Sequence, residues 1–216
     1  MELAQIWPPF GLRITTADME LAPTREADYG ELAEIARGGV RRDGVQAFLV
    51  DWDSGTDEEI ARSIAQYQWG TRANYRTEDW TLEFTVRVNG RVVGVQGISA
   101  TDYPQTLSVT TGSWLALTEQ GRGFGTRMRR ALLTACAEYF DTRVFHTAYV
   151  EGNDASRRVS EKLGYRPNGE KLIVVQDGQA HREHQLVLDA ADLVRDEGVG
   201  ITGAEAVRRF LGLDAG

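Results

Sequence analysis

Gln120-Gly121-Arg122-Gly123-Phe124-Gly125-Thr126 is the stretch on which the reading of this chain turns. A β-like run, Ser108 to Leu117, leads into it. An amphipathic helical pattern leaves it, with Phe124, Met128, Leu132, Cys136 and Tyr139/Phe140 on one face. Three glycines in five positions allow a turn tight enough to aim several backbone N–H groups at one anion. The start of a helix adds unpaired donors and the positive end of its dipole. Arg122, Arg127, Arg129 and Arg130 lie within or just after the stretch, and no acidic residue falls between Gln120 and Ala137, in a chain of net charge −8. This local reversal of sign reads as a seat for a phosphate or pyrophosphate.

The 216 residues, 42% hydrophobic and 26% charged, suffice for one well-buried core and indicate a single α/β domain with a mixed sheet. The negative balance argues against broad nucleic-acid binding, because nothing outside the loop supplies a basic surface. One cysteine, Cys136, can form neither an internal disulfide nor a metal cluster, so no metal is expected and a reducing cytoplasm fits. It falls on the apolar side of its helix and reads as a buried, inert thiol. No apolar run approaches ~20 residues and no charged-then-apolar leader opens the chain, so neither a membrane span nor an export signal is expected.

Local signals place the remaining elements. Leu12 to Ala22 reads as one or two short strands ending at Pro23, and a helical pattern from Thr24 is stopped by Gly38-Gly39. Thr56 and Glu59 form a capping box for a helix carrying Ile60, Ile64 and Tyr67. Leu82–Val88 and Arg91–Ile98 flank Asn89-Gly90, a strong hairpin signal, and Leu107–Leu117 extends the antiparallel sheet. Val144–Val150 reads as a strand, and Asn153 as the cap of a short helix ended by Gly164. Two closing strands lie near Lys171–Val175 and Glu183–Val187, turning at Asp177-Gly178. Residues 193–216 read as an appended tail with one short helix, Ala204 to Leu211, leaving 1–192 as the domain proper.

Three readings of the anion loop compete. A nucleotide-hydrolysing P-loop needs a Gly-Lys pair that is missing here. A dinucleotide fingerprint needs a third glycine where Thr126 stands, in a unit that comes late in an antiparallel-looking sheet. Coenzyme A is the third reading: its pyrophosphate at the amino end of the Gly123 helix, its pantetheine pairing like an extra strand along Trp114 to Leu117.

At these residues the chain resembles the GNAT superfamily of acyl-CoA N-acyltransferases, and within it the RimJ/RimL-like branch. Gln120-x-x-Gly123-x-Gly125 is similar to the family's coenzyme loop. Asn153-x-x-Ser156 followed by Lys162-Leu163-Gly164-Tyr165 is similar to its next element, and Gly112-Ser113-Trp114-Leu115 to the branch's strand end. The resemblance runs from about Leu12 to Asp192. It implies a mostly antiparallel central sheet, flanked by helices and splayed in a V at the acyl-CoA site. It further implies that backbone of Trp114, Leu115 and Ala116 holds the pantetheine arm. Gln120, Gly121, Arg122, Gly123, Phe124, Gly125 and Thr126 would hold the pyrophosphate, and Asn153 and Ser156 would hydrogen-bond the arm or the diphosphate region. Without a ligand, Asn153 and Ser156 read equally as a helix cap and first turn. Among the arginines, Arg122 and Arg127 are the expected phosphate contacts; Arg129 and Arg130 read either way, as anion contacts or as a solvated helix face.

Acyl transfer from a thioester to an amine needs a neutral amine, donors for the developing oxyanion and a fate for the leaving thiolate. No Ser-His-Asp or Cys-His arrangement is evident, so direct attack in a ternary complex is expected, with strand-end N–H groups of Trp114 to Ala116 serving the oxyanion. The chain departs from the family pattern twice. Ser160 stands where many members carry a tyrosine acid, leaving Ser156, Ser160 or water to protonate the sulfur. Thr110 stands where the branch often has a glutamate base, leaving Glu83, Glu151, Tyr149 or His146, with His146 reading more readily as a packed imidazole and Glu83 as a solvent-facing residue. Trp52, Tyr67, Trp69, Tyr75 and Trp80 read as core packing or as an acceptor cage. Arg72 and Arg76 among them suit a carboxylate, on the acceptor or on a succinyl donor. The expected reaction is transfer from acetyl-CoA, or a longer acyl-CoA such as succinyl-CoA, to a primary amine: a protein N-terminus, a lysine or a small molecule. An acyl-CoA-binding module with little catalysis and a nucleotide-binding protein are the rivals. Oligomeric state, monomer or homodimer, stays open.

Overall fold

The computed structural model describes residues 1–214. Nine strands form one sheet: β1 (Arg13–Thr16), β2 (Met19–Pro23), β3 (Asp79–Val88), β4 (Arg91–Thr101), β5 (Ser108–Leu115), β6 (Val144–Val150), β7 (Arg166–Val174), β8 (Ala180–Asp189) and β9 (Gly200–Thr202). Their spatial order is β7-β8-β6-β5-β4-β3-β2-β1-β9. Seven α-helices accompany them among the described residues: α1 (Leu3–Ile6), α2 (Tyr29–Arg37), α3 (Asp57–Ala73), α4 (Tyr103–Thr106), α5 (Phe124–Tyr139), α6 (Asp154–Lys162) and α7 (Ala204–Phe210). Among the described residues no helix is long and apolar enough to cross a membrane.

Local chemistry sets the ends of these elements. Asn89 and Gly90 both hold positive φ (50° and 78°), as a two-residue turn between β3 and β4 requires. Thr56 accepts from Glu59 N at the start of α3, and the Glu59 carboxylate returns to Thr56 N at 2.7 Å. Tyr103, fully buried, anchors α4 by donating to Phe140 O at 2.6 Å. Leu107, at φ 47°, then delays the strand, so β5 begins at Ser108 and not at Leu107.

Alternate residues send the sheet's two faces to two cores. Leu82, Phe84, Val86, Ile98, Val109 and Phe145 pack with Met128, Leu132 and Cys136 of α5. On the other face Val92 and Val95 meet Leu32 and Ala36 of α2 and Ile60 and Ile64 of α3. Cys136 is buried, and that burial pushes its thiol up to about 12, so it is un-ionised near neutrality.

Residues 193–214 do not hang from this body. β9 pairs antiparallel with β1 through Arg13↔Thr202 and Ile14↔Ile201, and Val207 and Leu211 sit fully inside the main core. Phe210 stacks on Tyr75 at 4.2 Å, and Trp7 meets both rings edge-on. The expected appendage is thus a closing edge. The helix stands where the sequence placed it, but a three-residue strand is too short to show a period, so the docking of this segment on β1 was not visible. Residues 215 and 216 of that expected tail lie outside the described residues.

The feature that positions the site is the contact between β5 and β6, the one parallel pair among the described residues. It holds for three positions only, Ser108↔Val144, Val109↔Phe145 and Thr110↔His146. Beyond it β5 stays with β4 as far as Leu115 and β6 stays with β8 as far as Val150, so the sheet opens between them.

Candidate active site

Two threonines close the vertex of the opening: Thr147 Oγ1 donates to Thr111 O at 3.1 Å, and Thr111 Oγ1 to His146 O at 3.4 Å. Past that point one edge of β5 has no strand beside it. Ala116 N donates to Val93 O at 2.9 Å, and in an antiparallel pair backbone direction alternates by residue. The N–H groups of Trp114 and Ala116 therefore face β4, while Ser113 and Leu115 turn toward the opening. This corrects the expected use of the Trp114 and Ala116 amides and adds Ser113, which sequence reasoning missed because the phase of a strand depends on its partner. The Trp114 ring leaves on the α2–α3 side and packs on Trp52 at 5.3 Å.

The opening leads to the glycine loop. Gly121 and Gly123 hold φ of 74° and 84°, a region costly for residues with a Cβ. The first bond of α5 runs from Arg127 N to Gly123 O at 3.1 Å, so the N–H groups of Gly123, Phe124, Gly125 and Thr126 precede it and have no helical partner. No acidic side chain occupies the first turn. Gly125 serves packing: a Cβ there would stand 3.3 Å from Val159 Cγ2, where α5 and α6 meet. Gln120 holds the loop in place, its Nε2 donating to Val40 O at 2.7 Å and to Leu115 O at 3.1 Å, and so is committed to the backbone. Arg122 pairs with Glu119, and Arg127 pairs with Asp18 at 2.7 Å; both guanidinium groups lie against the Phe124 ring.

Across the opening stands α6. Asn153 Oδ1 accepts from Ser156 N at 3.2 Å, a helix cap. Ser160 is fully buried: its hydroxyl donates to Ser156 O at 3.1 Å and accepts from Arg129 Nη1 at 3.1 Å. The single hydroxyl proton is thus spent on the helix carbonyl, which disfavours the expected acid role. Arg129 is no solvated helix residue either; it is 3% exposed, and its Nη2 donates to Ser113 Oγ at 3.1 Å.

The remaining candidates lie apart. Tyr149, with β6's Phe145 and Thr147, faces the α5 side and stacks on His184 at 4.8 Å. Burial pushes its hydroxyl above its ordinary value, which suits packing more than proton transfer. Glu83 lies on the opposite face, the one covered by α3. It does not point at open solvent as its alternation suggested. Its carboxylate lies over Gly97, where a Cβ would come within 2.3 Å of Oε1, and accepts from Tyr67 Oη at 3.3 Å. Burial pushes its carboxyl up to about 7, while the Tyr67 bond lowers it less. Gly97 pairs with Gly112 of β5, and no atom stands within 4 Å of where a Gly112 Cβ would be. Two glycines thus keep a bare lane between Glu83 and the opened edge. A cavity of 340 Å³ lies between α3 and the start of β3, lined in part by Tyr67, Asn74 and Thr81.

The expected aromatic cage is dispersed. Trp80 packs on Tyr103 and Trp69 on Tyr29, so these rings belong to separate contacts. Arg72 is tied to Glu26 at 2.5 Å and Arg76 to Asp79 at 2.8 Å, each already neutralised.

The sequence matches the family model described as an acetyltransferase (GNAT) domain over residues 18–166. The chain belongs to the GNAT acetyltransferases. Its fold is similar to Mycobacterium smegmatis RimJ, solved with CoA-disulfide, at 21% identity and a TM-score of 0.69, covering 94% of this chain and 95% of that one. It is also similar to the Salmonella typhimurium acetyl transferase that modifies the N-terminal serine of ribosomal protein L7/L12, at 20% identity and a TM-score of 0.65, covering 81% and 95%. A RimL structure bound to coenzyme A matches at 18% identity and a TM-score of 0.65, covering 82% and 97%. A GNAT acetyltransferase draws its acetyl group from acetyl-CoA, and the opening, the glycine loop and α6 are the parts of this chain that the coenzyme would meet.

Proposed function

We propose that this acetyltransferase moves an acetyl group from acetyl-CoA to a primary amine by direct attack in a ternary complex. The observation that carries the reading is the three-residue β5–β6 contact, opening onto the uncapped N-terminus of α5. The free N–H groups of Gly123 to Thr126 hold the diphosphate; backbone of Ser113 and Leu115 pairs with the pantetheine arm; Ser156 at the start of α6 borders it. An amine entering from the α3 side reaches the thioester along the lane of Gly97 and Gly112. Glu83 takes the proton it loses, through water, since two strand spacings amount to roughly 10 Å. A strand-end N–H, Ser113 or Leu115, meets the carbonyl oxygen as it becomes negative.

An acetyl donor is favoured over succinyl because Arg72 and Arg76 are already paired. A protein N-terminus is the favoured acceptor, since one neighbour in fold modifies such a terminus. The unpaired thiol of Cys136 suits a reducing compartment such as the cytoplasm. Thiol release from acetyl-CoA or succinyl-CoA, measured against peptides with free N-termini, lysine peptides and polyamines, tests the reading. Release with acetyl-CoA and N-terminal peptides supports it; no release with any pair, despite bound coenzyme, would make the chain a binding module instead.

A further inference from the structure

Among the described residues, Arg129 is a buried cation with no anionic partner. Its partners are two neutral hydroxyls, Ser113 Oγ on β5 and Ser160 Oγ on α6; its Nε has no partner; and Tyr165 is the one titratable group that acts on it electrostatically. Charges taken from water without a counter-ion are costly, and natural interiors rarely carry them without a use. Two more buried polar atoms nearby go unpaired: Tyr165 Oη, and Oε1 of Gln96, the residue directly opposite Ser113. A cluster of unsatisfied groups of this kind points to a missing occupant.

Position says which part of the occupant arrives there. Arg129 lies five residues beyond Phe124, about 7.5 Å along the helix axis from the N–H groups assigned to the diphosphate. Its two hydroxyl partners stand on either side of the β5–β6 opening. Ser113, whose N–H is one of the two assigned to the thioester carbonyl, accepts from Arg129, and this contact places the guanidinium at the sulfur end of the coenzyme. Ser160, which occupies the acid's place in the resemblance, has its proton committed to Ser156 O.

We propose that Arg129 is a catalytic residue whose fixed guanidinium receives the negative charge of the departing CoA thiolate, with Ser160 and Ser113 holding it in place. This rests on the coenzyme reading given above. The amine lone pair forms the C–N bond; the C–S bond breaks with both electrons passing to sulfur. The nitrogen's surplus proton leaves through Glu83 or water, and solvent later protonates the thiolate. The guanidinium gives up no proton and acts as a charge with two donors.

The test is the pH dependence of coenzyme affinity, measured calorimetrically between pH 6.5 and 9 for CoA and for desulfo-CoA, which lacks the thiol. For the wild type, CoA affinity is expected to rise about tenfold for each unit by which the bound thiol's pKa falls, while desulfo-CoA affinity stays flat. Arg129→Met, which fills the same space without charge, is expected to abolish that rise and to lower kcat about 10²-fold with KM for acetyl-CoA nearly unchanged. Arg129→Lys should restore part of both effects, and Ser160→Ala should cost less than Arg129→Met. Parallel pH curves for CoA and desulfo-CoA in the wild type would overturn the proposal without touching the coenzyme reading. Failure of both to bind would overturn the two together. A wild-type preference for succinyl-CoA over acetyl-CoA that Arg129→Met erases would overturn it as well, by assigning the charge to the acyl tail.

Discussion

Glu83 sits under opposing demands. Its carboxyl ordinarily titrates at 4.5 and is pushed up to about 7 by burial, so the folded protein prefers it protonated, whereas a base must be ionised. The sign follows from linkage. The preference for folding with a protonated Glu83 is fully present below pH 4.5 and is lost as pH rises through about 7. Glu83→Gln keeps the shape of the protonated form at every pH. Its melting temperature is expected to match wild type near pH 4.5 and to exceed it by a margin that grows toward pH 8. Its kcat/KM should fall about 10²-fold or more and lose the rise with pH that wild type shows through about 7. Equal pH–rate profiles for the two proteins would remove Glu83 from the mechanism.

Among the elements, β4 shows how glycines divide their work. A Cβ at Gly94 would lie 2.2 Å from Trp114 O and 2.8 Å from Leu115 Cα, both backbone, so Gly94→Ala must push β5 off β4. A loss of about 1–3 kcal/mol in urea unfolding is expected. At Gly97 the atom in the way is the movable end of Glu83, so Gly97→Ala should cost little stability and much turnover. Equal stability losses in the two variants would mean that Gly97 is structural too. The same elements show what a sequence discloses. The Asn89-Gly90 turn, the Thr56–Glu59 box, the Asn153 cap and the glycine loop were legible because each is decided within a few residues. The burial of Arg129 was not, since it depends on α5 and α6 meeting at Gly125 and Val159. Nor was the alternation that selects Ser113 and Leu115 over Trp114 and Ala116, which is set by register with β4.

At the scale of the molecule, the fold is one sheet, closed at its β1 edge and opened at one internal seam. The C-terminal segment closes that edge: β9 covers β1, and Val207 of α7 with Leu211 just after it seals the end of the main core. Leu211→Ala is expected to cost about 2–5 kcal/mol in urea unfolding, the ordinary penalty for emptying a filled core site. A cost below about 0.5 kcal/mol, typical of surface positions, would return this segment to the status of an appendage. The opened seam, by contrast, leaves helix-start and strand-edge N–H groups without a partner in secondary structure, and acetyl-CoA is the proposed partner for them. Amide hydrogen exchange with and without saturating CoA tests this most directly. Slowed exchange at Gly123 to Thr126, with the Asn89-Gly90 hairpin unchanged, is the predicted result; exchange at those four amides that CoA binding leaves unaltered would contradict it.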